Sequence, residues 1–124
     1  MNEQPQDLKE RTKSYALRII RMYSALAKHD TAAQVLGKQV IRSGTSVGAN
    51  YREASRSRSK AEFISKIGDS LKEIEETGYR LELLADSGCI AVAKLADLLD
   101  ETRQLIAIFT TIDKRAKAKK SEMR

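Results

Sequence analysis

Val40-Ile-Arg-Ser-Gly-Thr-Ser-Val-Gly-Ala-Asn-Tyr-Arg-Glu-Ala54 is the stretch that decides the fold of this chain. At about 100° of rotation per residue, its large apolar residues fall on one helix face, and Ser43 and Asn50 fall within that face. Two glycines, Gly44 and Gly48, interrupt the helix, and each costs about 1 kcal/mol relative to alanine. Because a helix tolerates this cost only for a reason, the two glycines predict close approach of a neighbouring backbone and a defined set of hydrogen bonds.

The polar side chains of this stretch form a group that we call the polar seam: Arg42, Ser43, Ser46, Asn50 and Glu53. One interpretation makes the seam a ligand or catalytic pocket, which normally also offers a nucleophile or a base. The other interpretation is structural, because buried polar groups on one helix fix the register of a facing helix. The residues favour the structural role, and we expect Asn50 to be buried and hydrogen-bonded.

Apolar spacing and capping residues predict four helices. The first runs from Asp7 to about Lys28, and the second from Asp30 or Thr31 to Ser55 or Ser57. The third runs from Ser59 to the stop at Asp86-Ser-Gly88, and the fourth from about Ala91 to Ala118. Short joints favour antiparallel neighbours, and no sustained period-two alternation indicates a strand. We therefore predict an all-α, antiparallel, up-down-up-down four-helix bundle over residues 7–118, with a flexible N-terminus at 1–6 and a basic flexible tail at 119–124.

Composition argues against most kinds of catalytic or metal site. The chain has 124 residues, enough for one domain, with one cysteine and one histidine. A disulfide, a multi-cysteine zinc site and a bundle di-metal site are therefore not expected. Gly44 to Gly48 lacks the Gly-Lys-Ser/Thr ending of a phosphate-binding loop. We expect no enzyme activity, no metal, no cofactor and no small-molecule substrate.

The sequence also lacks an apolar run of membrane length and a basic-then-apolar leader pattern, which predicts a cytoplasmic protein without membrane contact.

Charge is unevenly distributed along the chain. Residues 31–60 carry six basic groups and one acidic group, whereas residues 61–90 carry three and seven, within a net charge of +6. The candidate nucleic-acid-binding residues are Arg52, Arg56, Arg58, Lys60, Lys114, Arg115, Lys117, Lys119 and Lys120. Few aromatics accompany them, so binding to RNA or DNA would be directed at the backbone with little sequence preference. The alternative is a protein–protein adaptor or assembly module that does not bind nucleic acid.

Self-association is predicted from apolar residues that lie away from the main stripes. These residues are Leu17, Ile20, Ile41, Leu83 and Ile108. A monomer that exposed all of them would have an unusual amount of apolar surface. Complementary charge on the acidic third helix and its basic neighbours would add to the attraction between chains.

The segment from Arg42 to Ala54 resembles the signature of the four-helix-bundle proteins encoded in intervening sequences of bacterial 23S rRNA genes. Ser59-Lys-Ala-Glu-Phe-Ile64 and Ser70-Leu-Lys-Glu-Ile-Glu-Glu-Thr-Gly-Tyr79 are similar to the blocks that follow it. The resemblance covers roughly residues 17–109 and implies an antiparallel bundle that assembles into a ring, usually a pentamer. Accessory proteins of diversity-generating retroelements share this architecture and bind nucleic acid. The resemblance assigns no catalytic role to the signature's polar residues, which match Arg42, Ser46, Asn50 and Glu53.

Overall fold

The structure is a computed structural model that describes residues 5–122, and side chains from Leu8 to Lys119. Its helices are α1 (Pro5–Ser24), α2 (Thr31–Ser55), α3 (Lys60–Asp86) and α4 (Val92–Glu122). Helix α2 packs against α1 and α3, and α4 packs against α3 and, less closely, α1. No strand occurs among residues 5–122. The prediction of an all-α chain with four helices is confirmed, whereas the antiparallel order and the ring stay predictions.

The helix ends follow from local capping. The carboxylate of Asp30 accepts a hydrogen bond from the amide of Ala33 at 3.1 Å and so caps α2. The Ser59 hydroxyl likewise accepts from the amide of Glu62 at 3.0 Å at the start of α3. At the other end of α3, Gly88 has a φ of +80°, a conformation that glycine adopts without strain. Gly88 is therefore the predicted terminator of the third helix.

Three helix ends differ from the predicted positions, and the first is the start of α1, which lies at Pro5 and not at Asp7. Helix α1 ends at Ser24, before the predicted Lys28, because the next turn tightens and directs Leu26, only 4% exposed, into the core. Helix α4 continues to Glu122, beyond the predicted Ala118. Just before this extension, Ala116 is buried and an ion pair of 2.9 Å joins Lys117 to Asp113. The predicted flexibility at 1–6 and 119–124 stays a prediction, and residues 1–4 and 123–124 lie outside the described residues.

All four helices contribute large side chains to one core, including Tyr15, Val47, Leu81 and Leu105. Of the apolar residues predicted to lie away from that core, Leu17 and Ile20 are 40% and 42% exposed. The prediction is only partly right for the others, because Ile41, Leu83 and Ile108 are half-buried, and Ile41 and Ile108 pack against the core.

The glycines of α2 bring α1 into close contact. A Cβ atom added to Gly48 would lie 2.9 Å from Oγ1 and 3.1 Å from Cβ of Thr12. One added to Gly44 would lie 3.0 Å from Cγ1 of Ile19. Close packing at these two glycines is confirmed, but the atoms nearest to them belong to side chains of α1 and not, as predicted, to its backbone.

We expect Gly48→Ala to destabilise the fold by about 1–3 kcal/mol, because the new methyl group overpacks against a buried, branched side chain. The gain in helix propensity, about 1 kcal/mol, offsets only part of this cost. Gly68→Ala on α3 is the matched control, because an added Cβ there meets no atom within 4 Å. The control should be as stable as wild type or more stable in urea unfolding followed by circular dichroism. Equal stabilisation by both substitutions would contradict the close approach.

Candidate functional site

Hydroxyl groups join α2 to α3 inside the core. The Ser43 and Thr77 hydroxyl oxygens lie 2.6 Å apart, and both residues are buried. Thr77 uses its own proton to donate to the carbonyl of Glu73 at 2.7 Å, so Ser43 is the donor of this pair. The hydroxyl of Ser70 donates to the carbonyl of Val47 at 2.9 Å. These bonds give α2 and α3 a specific register.

A second buried pair joins α1 to α4. The hydroxyl oxygens of Tyr15 and Thr102 lie 2.6 Å apart. Thr102 donates its proton to the carbonyl of Leu98 at 2.8 Å, which makes Tyr15 the donor. Burial raises the pKa of Tyr15, so the phenol stays protonated at neutral pH. On the outer side of this contact, Arg11 donates to both carboxylate oxygens of Glu101 at 2.8 Å.

The roles of Ser70 and Thr77 were not predicted from the sequence. They lie seven residues apart and so recur on one helix face, beside the apolar stripe that contains Ile67, Ile74 and Leu81. That spacing was the available signal, because small hydroxyl residues at core-facing positions of a helix normally hydrogen-bond the backbone or a neighbour.

The other members of the polar seam lie further from the core. Arg42 is exposed and pairs with Glu73 at 3.2 Å and Glu76 at 3.6 Å, whereas Glu53 pairs with Lys66 at 3.2 Å. Ser46 donates to the carbonyl of Arg42 in its own helix at 2.6 Å. Arg42, Ser43 and Glu53 therefore contact α3 through their side chains, and Ser46 does not extend the seam to another helix.

The prediction that Asn50 is buried and hydrogen-bonded is wrong for the single chain. Its side chain is half-buried and makes no hydrogen bond with any residue whose side chain is described. It lines an open groove of about 320 Å³ between α2 and α3, together with Arg42, Asp69, Lys72, Glu73 and Glu76. The physical reason is its angular position, at the edge of the face that Val47 and Tyr51 bury. Glu53 does not line this groove.

One group of the predicted basic residues lies at the joint between α2 and α3. Arg52 is in the last turn of α2, Arg56 caps that helix, Arg58 is in the connecting loop, and Lys60 begins α3. All four side chains are exposed. None of them forms an ion pair with another described side chain. They are therefore available to an external anion.

The second basic group lies on α4, in the segment that follows the contact of α4 with Tyr51 at the end of α2. Lys114, Arg115, Lys117 and Lys119 are exposed, and the side chain of Lys120 lies outside the described residues. The ring of Tyr51, just before Arg52, packs edge-on against Phe109 with centroids 5.8 Å apart. Earlier in both helices, Ser43 of α2 contacts Thr77 of α3. The next residue of α3, Gly78, lies close to Thr102 of α4. Tyr51 directly precedes Arg52, and Phe109 lies five residues before Lys114, so this ring contact joins α2 and α4 close to both basic segments in the sequence.

Other kinds of site find little support in the described part of the chain. No group of three or more histidine, cysteine, aspartate and glutamate side chains is placed to hold a metal ion within that part. Cys89 is half-buried and accepts a hydrogen bond from the Ser87 hydroxyl at 3.2 Å. Among residues 5–122, no helix has the length and apolar character needed to cross a membrane.

Comparison with known proteins identifies the family. The sequence model of the family of 23S rRNA-intervening sequence proteins matches residues 6–111, which are most of the chain. The chain belongs to this family. The resemblance drawn from residues 42–54 is thereby confirmed. A search of curated proteins with the sequence of this family member found no match.

A solved structure supports the same assignment for this intervening-sequence protein. The crystal structure of a protein of unknown function from the S23 ribosomal protein family of Bacteroides thetaiotaomicron is 35% identical in sequence. The alignment covers 86% of this chain and 97% of that one, with a TM-score of 0.78. Similarity of this extent shows that the two chains share their helical architecture.

For this family member we expect Ser43→Ala to cost about 1 kcal/mol, because Thr77 loses the donor of a buried hydrogen bond. Asn50→Leu should change stability by no more than about 0.5 kcal/mol, since its side chain has no hydrogen-bond partner among the described residues to leave unsatisfied. Urea unfolding of both variants at low protein concentration provides the measurement. A larger loss for Asn50→Leu than for Ser43→Ala would contradict the positions described for these two residues.

Proposed function

We propose that this protein is a non-enzymatic, cytoplasmic, self-assembling four-helix bundle that binds the backbone of RNA or DNA through its basic end. The basic end is defined by Arg52, Arg56, Arg58 and Lys60 together with the basic residues 114–120 of α4. The observation that carries the proposal is the contact of Tyr51 with Phe109, which supports convergence of these two groups, about sixty residues apart in sequence, at one end of the bundle.

Electrostatics explains why convergence matters. A phosphate backbone presents closely spaced negative charges, and each cation that contacts it releases condensed counterions. A few exposed cations on one chain bind phosphates weakly. Repetition of the basic end in an assembly makes the later contacts intramolecular, which raises the overall affinity without any new kind of contact.

The proposed assembly is a ring of antiparallel bundles, with five members as the resemblance implies. Contacts between α2 and α3 support the antiparallel order, because residues 43, 47 and 53 pair with residues 77, 70 and 66. The partner number falls as the α2 number rises. Exposed Leu17 and Ile20 support self-association, because burying them against another chain removes apolar surface from water.

Sedimentation equilibrium tests the assembly. We expect a mass several times that of the 13.9 kDa chain at tens of micromolar. A mass of five chains that stays constant over a wide concentration range would support the pentamer. A strict monomer would contradict self-assembly, and repeated basic ends could then not raise the affinity for nucleic acid.

Fluorescence anisotropy with structured RNA and with duplex DNA, over a salt series, tests the basic end. Wild type should bind both with an affinity that falls steeply as salt rises. The triple variant Arg52→Gln, Arg56→Gln and Arg58→Gln should bind different sequences about equally weakly and show a shallower salt dependence. All three side chains are exposed, so we expect folding and assembly to be retained.

A matched control removes the same number of positive charges elsewhere. Lys28, Lys38 and Lys94 are exposed and form no ion pair with the described side chains, and they lie away from the basic end. Changing all three to Gln should weaken binding much less than the arginine variant does. Equal loss in the two variants would mean that only net charge matters. No binding by wild type at low salt would favour the adaptor function instead.

A further inference from the structure

The outward face of α3 combines an exposed aromatic ring with unpaired acids. The side chain of Tyr79 is 63% exposed. It lies between two open grooves, one of about 190 Å³ towards α4 and one of about 490 Å³ towards α2. Gly78, Leu99 and Ile106 line the first groove, so it presents apolar surface beside the ring. A tyrosine in this position is a large apolar group left in contact with solvent.

The charge around Tyr79 is predominantly negative. Glu75, Glu82 and Asp86 are exposed, and none forms an ion pair with a described side chain. Two cations border the grooves. Arg103 lies across the groove towards α4, and Arg80 pairs with Glu76 at 3.6 Å. This acidic face is defined by Glu75, Tyr79, Glu82, Leu83 and Asp86.

The outward face of α1 has the opposite character. Leu17 and Ile20 are exposed on the side of α1 that points away from buried Tyr15 and Ile19. Lys13 and Arg21 flank them, and neither forms an ion pair with a described side chain. Among the described side chains of α1, Glu10 is the only acid. The basic-apolar face is defined by Lys13, Leu17, Ile20 and Arg21.

We infer that the basic-apolar face of α1 in one copy docks on the acidic face of α3 in a second copy. This inference rests on the self-assembly proposed above and specifies its contact surfaces. Leu17 and Ile20 are three residues apart and therefore adjacent on the helix surface, where they can enter the grooves on the two sides of Tyr79. Lys13 and Arg21 then lie near Glu75, Glu82 and Asp86 of the neighbour. This pairing of opposite charges favours a partner whose docking face is acidic.

The positions of the two faces make the contact heterologous. Helices α1 and α3 have no close backbone contact among residues 5–122, and each packs against both α2 and α4. They are therefore diagonal in the bundle, with their outward faces on opposite sides. Each copy can bind one neighbour through α1 and another through α3, and such contacts produce a closed ring when the rotation between copies closes.

Complementation between two variants tests the inference. The α1-face variant is Leu17→Asp with Ile20→Asp, and the α3-face variant is Tyr79→Asp. Each variant alone should be monomeric by sedimentation velocity at concentrations where wild type is assembled. Mixed in equal amounts, they should form a dimer of one copy of each, because one intact α1 face and one intact α3 face remain. Native mass spectrometry with one isotope-labelled variant identifies the composition of that dimer.

A control variant places the same kind of change on other exposed apolar residues. Val35 and Val92 are 52% and 61% exposed and belong to neither face. Val35→Asp with Val92→Asp should assemble as wild type does. Circular dichroism and urea unfolding should show all variants folded, since every changed side chain is exposed.

The outcomes separate this inference from the proposed function. If wild type assembles but the face variants assemble equally well, or if the mixture stays monomeric, the inferred contact is wrong and self-assembly stands. If wild type is monomeric, both self-assembly and the contact are wrong. Restoration of assembly by mixing Lys13→Glu, Arg21→Glu protein with Glu75→Lys, Glu82→Lys protein would further support the charge pairing.

Discussion

Close packing of α1 on α2 is the constraint on which the rest of the bundle depends. At Gly44 and Gly48 the α2 backbone has no side chain, and Ile19 and Thr12 of α1 occupy the space. Tyr15 lies between these two residues in the sequence of α1, and its hydroxyl bonds Thr102 of α4. The same segment of α1 therefore packs on the glycines of α2 and is held to α4.

Within this framework, paired hydroxyl groups select one arrangement of an otherwise apolar core. Apolar contacts tolerate small shifts between helices, whereas a bond of 2.6 Å between Ser43 and Thr77 does not. A slide of one helical turn would leave both oxygens buried without their partners, and such unsatisfied groups are costly. The hydroxyl groups thus add specificity to a core whose stability comes from apolar burial.

Periodicity and capping residues predicted the four helices, because these signals are local and repeat along the chain. The sequence also indicated the close approach at Gly44 and Gly48, since two glycines in one helix require a reason. It misplaced Asn50, because helical rotation gives an angle but not the depth at which a neighbouring helix stops covering the surface. It missed Thr77 as the partner of Ser43, because pairing between helices depends on their relative displacement, which no local pattern encodes.

The length of helix α3 separates the positively charged basic end from the negatively charged acidic face. It begins at Lys60 in the basic end and finishes at Asp86 in the acidic face. Its 27 residues span about 40 Å at about 1.5 Å per residue. In physiological salt the screening length is about 8 Å, so the acids hardly weaken the field at the other end. Under the proposed function, a polyanion within this screening length would be attracted to the basic end and repelled by the acidic face, so the charges would favour one orientation of the molecule in the complex.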